Sequence, residues 1–306
     1  MVQNSPLRHI PVLQEEILRI LAPQSGETVL DATVGLGGHA RAFLERIGPT
    51  GHLIGIDADK DNLAEAARKL APWRKQIHLI HENFRNIRNI LTSVPSVPSL
   101  PSAPFSHIDI LFADLGLSSP HIDDPNRGFT FRQQAPLDLR FDRTQGTTAA
   151  TLLQKTSKKD LANILKIYGE LPHSADLAEA LSSTHPKTTL ELKAIVEQVY
   201  RWRAPHFLPQ VFQALRIAVN DELSALQDLL RDGPELLAPC GRMGILCYHS
   251  LEDRMVKQAF RHPSSTFHLL TPKVIRPSPG ECARNPRSRS ARFRAIERTA
   301  LFSQCP

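Results

Sequence analysis

The sequence predicts an α/β protein: a doubly wound parallel sheet with a small α-helical domain inserted into it. Short apolar runs alternate with helical patterns from Thr28 to Asp114, as expected where parallel strands are joined by helices. The alternation stops after residue 123, and short helices then follow one another without strands. It resumes near Phe212, so we predict a sheet domain over 1–123 and 212–306 and a helical insertion over 124–211.

The elements follow from apolar spacing and capping signals. The spacing predicts a first helix over 12–21, with Pro11 in its first turn. Buried runs predict strands that end at Asp31 and span 52–57, 77–80, 108–112 and 243–248. Residues 273–275 and 292–298 are predicted to pair antiparallel and to close the sheet. The proline-rich stretch 92–105 is predicted to be an extended surface loop.

Composition narrows the class of protein. The net charge of +6 is compatible with a polyanionic partner but does not establish one. The four cysteines lack paired spacing, which argues against a structural zinc site, and we predict no metal. No apolar run approaches the ~20 residues of a membrane span, and the first residues do not resemble a signal peptide. We therefore expect a cytoplasmic protein without a membrane partner.

A glycine-rich turn follows the first predicted strand, in the stretch TVLDATVGLGGH over residues 28–39. A strand, a tight turn and a helix N-terminus form a site for a nucleotide-like ligand. The glycines fall as Gly35-x-Gly37-Gly38, without the third glycine of the dinucleotide fingerprint, which disfavours a dehydrogenase. The compact form suits S-adenosylmethionine, whose carboxylate and amino groups would pass over Gly37, Gly38 and His39.

Three further predicted strand ends carry matching residues. Asp57 can accept both ribose hydroxyls, its alternative role being a helix N-cap. Phe84 offers an aromatic face to an adenine, although it could equally be an ordinary core residue. Asp114 could hold an exocyclic amine in line with a methyl donor and raise its electron density, or simply cap a loop. Because ligands of open α/β sheets bind at the carboxyl ends of strands, these residues are expected to converge.

Two segments near the C-terminal end admit more than one interpretation. Residues 284–294 carry five arginines and no acid, a pattern typical of phosphate contact, and Arg284, Arg287, Arg289 and Arg292 are the candidate RNA-binding residues. His249 could face the site, while Ser250 and Asp253 form a potential capping box for the next helix.

The chain resembles the ribosomal RNA small-subunit methyltransferase H family. The matching stretches run in the family's order over nearly the whole chain: HIPVL (9–13), DATVGLGGH (31–39), DLGLSSP (114–120), RGF (127–129), PLDLRFD (136–142), YGE (168–170), FQALRI (212–217), HSLEDR (249–254) and NPRSRS (285–290).

The resemblance implies a class I S-adenosylmethionine-dependent methyltransferase fold. It also implies methylation of N4 of a cytidine (position 1402) in the decoding region of 16S rRNA, with the small ribosomal subunit as partner. By position, the family's cofactor contacts fall on a set of seven residues: Gly37, Gly38, His39, Asp57, Phe84, Asp114 and His121. His121 stands where the family usually has glutamine, and Gln210 where it usually has arginine.

The leading hypothesis is direct transfer of a methyl group to the cytosine N4, with Asp114 as the catalytic residue and without a covalent intermediate. One alternative is a non-catalytic RNA-binding factor for ribosome assembly. Another is an amine methyltransferase that acts on DNA. The oligomeric state is left open.

Overall fold

The computed structural model describes residues 11–93, 108–261 and 266–299. The predicted loop at 92–105 lies almost entirely outside these residues, as do the first ten residues. The chain divides into two compact units: a sheet unit, residues 1–116 and 224–306, and a helical unit, residues 117–223.

The predicted doubly wound parallel sheet is confirmed. The described residues form seven strands in the order β3-β2-β1-β4-β5-β7-β6, with β1 to β5 parallel and β7 antiparallel to both of its neighbours. Their bounds are β1 Thr28–Asp31, β2 His52–Asp57, β3 Ile77–His81, β4 Ile108–Asp114, β5 Leu237–Cys247, β6 Phe267–Leu269 and β7 Arg292–Arg298. The strand order reverses between β1 and β4, the place where such sheets form a ligand crevice.

Alternating strand residues build a separate core on each face of the sheet. On one face Leu30 and Leu111 pack with α4, Ile87–Ser93, and with α11, Glu222–Asp232, and α12, Ser250–Arg261. On the other face Val29 and Ile110 pack with three helices, which are α1 Gln14–Leu21, α2 Gly38–Ile47 and α3 Lys60–Lys69. Burial on both faces explains why these strands are continuous apolar runs.

Two predictions about elements are wrong in detail. The first helix begins at Gln14, because Leu13 adopts a left-handed backbone (φ 55°) and donates its N–H to Glu281 Oε1 at 2.8 Å, so Pro11 precedes the helix. The segment 292–298 does form an antiparallel strand, but it pairs with β5 and β6. Residues 273–275 contribute a single bridge, between Ile275 and Phe293.

The helical unit has its own core. Its helices are α5 Ser119–Asp123, α6 Ala149–Lys155, α7 Lys158–Gly169, α8 Ser174–Thr184, α9 Thr189–Tyr200 and α10 Ala204–Asn220. The predicted domain limits at 123 and 212 differ from the observed ones. Helix α10 continues without a break past 212, and Phe212 and Leu215 belong to the helical core, while Leu117 packs against that same core.

Within the described residues, no helix combines the length and the hydropathy that crossing a membrane requires.

Candidate active site

The glycine-rich turn between β1 and α2 depends on left-handed backbone at two positions. Gly35 has φ +53° and Gly37 has φ +80°, a region that residues with a Cβ enter only at a cost. Gly37 is also the N-cap of α2 and supplies no side chain, and the first turn of α2 contains no acidic residue. The first N–H groups of α2 lack intrahelical acceptors, so this helix start suits a ligand carboxylate.

Gly38 has a packing role that the sequence does not reveal. A Cβ on Gly38 would lie 2.7 Å from Pro11 Cγ, closer than side chains tolerate. Glycine at this position therefore lets the segment before α1 pack directly on the start of α2.

Asp57 is held at the end of β2 by two backbone donors. Its Oδ2 accepts from the Gly35 N–H at 2.7 Å and its Oδ1 accepts from the Asp59 N–H at 2.8 Å. Burial raises the pKa of Asp57 to about 6, although both bonds favour the charged form. The alternative role as helix N-cap is excluded, because the side chain of Asp59 caps α3.

Asp114 ends β4 beside the same turn. Its backbone N–H donates to Thr33 Oγ1 at 2.6 Å, and its Oδ2 lies 3.6 Å from His39 Nε2. Burial raises the pKa of Asp114 to about 7, while a hydrogen bond from the Tyr248 side chain acts in the opposite direction. Asp114 Oδ1 is buried and has no hydrogen-bond partner among the described residues.

Asp31 is a further candidate site residue, for which the sequence alone predicts no role. It is fully buried at the end of β1, and its Oδ1 accepts from the Thr33 N–H at 3.1 Å. Burial, with the nearby charges of Asp114 and Asp57, raises the pKa of Asp31 to about 8. Its position at the end of a buried strand, as for Asp57 and Asp114, is the signal that could have revealed it.

Phe84 follows β3 in a short 3₁₀ turn, Phe84–Asn86, which the Asn83 side chain caps. Its ring is half-buried against the core that contains Leu30. The predicted adenine contact thus stays a prediction for a residue that also packs in the core.

The segment after β5 is capped one residue earlier than predicted. Glu252 Oε2 accepts from the N–H groups of Tyr248 and His249, and His249 Nε2 lies 3.1 Å from Glu252 Oε1. His249 precedes α12 and Glu252 occupies the third position of the helix, so these two residues form the capping pair. Asp253, the predicted capping partner of Ser250, instead accepts a hydrogen bond from Arg294 Nε on its Oδ1 at 2.7 Å.

The four candidate RNA-binding arginines divide into two kinds. Arg284, Arg287 and Arg289 are exposed on the segment formed by α13, Pro279–Arg284, and a 3₁₀ turn, Pro286–Ser290. Arg292 is half-buried on β7, and its Nη1 lies 3.7 Å from Asp253 Oδ2. An ion pair of this kind reduces the capacity of Arg292 to bind a phosphate.

His121 and Gln210 belong to the helical unit. His121 is buried, accepts the Ser118 N–H on Nδ1 at 3.1 Å, and lies 5.1 Å from the ring centroids of both Phe129 and Phe141. Gln210 lies in α10, and its Oε1 has no hydrogen-bond partner among the described residues.

A family model for the MraW methylase family matches residues 6–299 of this sequence. The chain belongs to the MraW methylase family. This methylase is 42% identical, over 99% of its length and 96% of the relative, to the ribosomal RNA small subunit methyltransferase H of Trichormus variabilis. It is 41% identical to the protein of the same name from Thermomicrobium roseum, over 95% of this chain and 94% of that one.

The methylase is an enzyme that uses S-adenosylmethionine, and its doubly wound sheet is the class I methyltransferase fold. The residues of the sheet unit fit that cofactor. The uncapped start of α2 suits its carboxylate, and Asp57 suits its ribose. Asp114 Oδ1, which is buried without a partner among the described residues, offers a further acceptor.

Proposed function

We propose that this methylase transfers a methyl group from S-adenosylmethionine to N4 of a cytidine in the decoding region of 16S rRNA (position 1402). The observation that carries the proposal is identity of about 40%, over nearly the whole chain, with relatives named ribosomal RNA small subunit methyltransferase H. The positive net charge of the chain suits an RNA substrate. We expect the partner to be the small ribosomal subunit and the location to be the cytoplasm.

The proposed cofactor contacts are Gly37, Gly38, His39, Asp57, Phe84, Asp114 and His121. Within this set, the Asp57 carboxylate accepts the ribose hydroxyls, and its bond from the Gly35 N–H fixes it to the glycine-rich turn. The first turn of α2, which begins at Gly38 and His39, presents its N–H groups to the methionyl carboxylate, whereas the Gly37 N–H donates to the Val34 carbonyl at 2.8 Å within the turn. Gly38 contributes by allowing the close contact with Pro11.

S-adenosylmethionine supplies an electrophilic methyl group bound to a sulfonium. Once the methyl group is transferred, the rest of the molecule is a neutral thioether. In our proposal Asp114 accepts a hydrogen bond from the N4 amino group and directs the nitrogen lone pair along the line of attack. The new C–N bond uses that lone pair, and the electrons of the broken S–C bond stay on sulfur. Asp114 then accepts the proton that the cationic N4 must lose.

The environment of Asp114 suits this role. A pKa of about 7 places the group near neutral pH, where it is ionised often enough to accept a proton and basic enough to hold it. His39 on one side and Tyr248 on the other restrict its orientation. Preorganised orientation of this kind lowers the barrier without any covalent intermediate.

The test is an acceptor panel with S-adenosylmethionine labelled on the methyl group. We expect label in small ribosomal subunits or deproteinised 16S rRNA, and none in single- or double-stranded DNA. Label in DNA would support the alternative of a DNA amine methyltransferase. RNA binding without any transfer to any acceptor would support the alternative of a non-catalytic assembly factor.

A further inference from the structure

Trp202 is an exposed aromatic side chain that does not belong to the core of the helical unit. Its exposed fraction is 81%, larger than the 58% of Ile167 and the 36% of Leu269, the other large exposed hydrophobic residues among those described. Leaving an indole in water forgoes the stabilisation that burial would bring. The exposed indole of Trp202 is therefore a candidate binding surface for a ligand.

The surroundings of Trp202 are basic. Arg201 and Arg203 flank it, and the guanidinium carbon of Arg203 lies 4.8 Å from the centroid of the indole ring. His206 is exposed a few residues further on, and the segment 201–208 contains no acidic residue. We call Arg201, Trp202, Arg203 and His206 the tryptophan patch.

The backbone presents this patch at a sharp turn. Helix α9 ends at Tyr200, and Arg201 adopts φ 51° and ψ −125°, a conformation that residues with a Cβ rarely adopt. A 3₁₀ turn, Arg201–Arg203, leads directly into α10. Strained backbone of this kind persists where the surrounding structure imposes it, often at functional positions.

The turn is anchored to the core. The Tyr200 hydroxyl donates to the Pro172 carbonyl at 2.7 Å, and the Tyr200 ring lies 4.6 Å from that of Phe207. A shallow pocket of about 430 Å³ lies on the outer side, lined by Trp202, Arg203, Pro205, His206 and Phe207. Its lining thus combines aromatic rings with the guanidinium of Arg203.

We propose that the tryptophan patch binds a single-stranded segment of the RNA substrate, with one base stacked on Trp202 and adjacent phosphates bound by Arg201 and Arg203. This rests on the proposed function, which supplies an RNA acceptor. An unpaired base has a free face for stacking, whereas a base inside a duplex does not. A protein partner fits less well, because the exposed apolar surface is confined to this small pocket and cationic side chains flank the indole on both sides in sequence.

The chain contains two tryptophans, Trp73 and Trp202, so indole fluorescence can be assigned to one position. Trp73→Phe leaves Trp202 as the reporter, and Trp202→Phe leaves Trp73, which is half-buried in the sheet unit. A short single-stranded RNA of mixed sequence should quench the first variant and leave the second unchanged. The same RNA annealed to its complement should quench the first variant much less.

Activity provides the second readout. Trp202→Ala should raise the KM for the RNA acceptor about 5- to 100-fold, with kcat at saturating RNA and the Kd for S-adenosylmethionine unchanged. Trp202→Phe, which keeps an aromatic face, should recover most of the loss. Ile167→Ala, a matched removal of an exposed apolar side chain in the same unit, should change neither constant.

The proposal would be overturned if single-stranded RNA did not quench Trp202, or if the KM were unchanged in Trp202→Ala. A fluorescence change that follows protein concentration without RNA would also overturn it, in favour of self-association. Failure of the proposed function would look different, because the unmodified methylase would then fail to methylate any RNA.

Discussion

At the scale of single residues, the site is defined by three carboxyl groups placed where neighbouring strands end. Asp31, Asp57 and Asp114 terminate β1, β2 and β4, and burial raises the pKa of each, to about 8, 6 and 7 respectively. Within the described residues, ion pairing to Lys or Arg does not compensate them. A cofactor with a sulfonium and an ammonium group would favour the ionised form of these buried carboxyl groups.

Asp57 is expected to contribute mainly to cofactor affinity. Asp57→Ala removes the charged acceptor that we propose for two ribose hydroxyls and should raise the Kd for S-adenosylmethionine about 100-fold. Asp57→Asn keeps one acceptor oxygen and should show a smaller loss. Isothermal titration calorimetry measures both constants, and an unchanged Kd in Asp57→Ala would show that the ribose site lies elsewhere.

At the scale of elements, the contact between the segment before α1 and the start of α2 depends on Gly38. Gly38→Ala places a Cβ 2.7 Å from Pro11 Cγ and should lower the free energy of unfolding by about 1–3 kcal/mol, measured by urea denaturation. Pro11→Ala removes the atom in conflict, so the double variant should regain most of that loss. If Gly38→Ala instead weakened S-adenosylmethionine binding at unchanged stability, the glycine would serve the ligand and not the packing.

The arginine segment after α13 is expected to contribute to RNA affinity. Arg287→Glu with Arg289→Glu should weaken binding to 16S rRNA and reduce the slope of log K against log salt, because fewer counterions are released. Arg68→Glu on α3, also exposed, is the matched control and should leave the slope nearly unchanged. Equal effects of both changes would indicate only a general charge contribution.

The sequence predicts the strands that form apolar runs and misses the strand that does not. Helices cover both faces of β1, β2 and β4, and the apolar residues of β3 are partly buried. Strand β6 has three residues, of which two are exposed, so it carries no periodic signal that separates it from a loop. The capping pair of α12 is displaced by one residue, because the Glu252 carboxylate reaches back to two backbone N–H groups that no local pattern marks.

Prediction from the sequence is limited in the same way at the candidate active site. Asp57 and Asp114 are predictable because each follows an apolar run at a strand end. The contact of Tyr248 with Asp114 joins β5 to β4 across the sheet and depends on register, which the sequence does not state. The packing role of Gly38 likewise depends on a residue 27 positions earlier in the chain.

At the scale of the whole molecule, the three carboxyl groups predict how stability depends on pH. Because their pKa values are raised in the folded state, these three groups bind more protons in the folded than in the unfolded protein between about pH 4 and 8. The free energy of unfolding of the cofactor-free protein should therefore fall as pH rises through this window, which a series of Tm measurements would detect. S-adenosylmethionine should raise Tm most at the alkaline end of this pH window.

Asp31 has the highest pKa of the three carboxyl groups, so Asp31→Asn removes the largest of their contributions to the pH dependence of stability. The amide cannot ionise, so the fall in Tm between about pH 6 and 8 should become shallower by several degrees. Glu45→Gln on the exposed face of α2 is the control and should leave the profile unchanged. A profile in Asp31→Asn as steep as in the unmodified protein would contradict the raised pKa of Asp31.

The most direct test of the account is the identity of the methylated nucleoside, compared between the unmodified methylase and Asp114→Asn. Small ribosomal subunits are incubated with S-adenosylmethionine, and their 16S rRNA is digested to nucleosides for mass spectrometry. We predict N4-methylcytidine with the unmodified protein, and a kcat about 10²–10⁴-fold lower in Asp114→Asn, a larger change than that in the Kd for S-adenosylmethionine. Methylation at C5 of the ring, or full turnover in Asp114→Asn, would contradict the account.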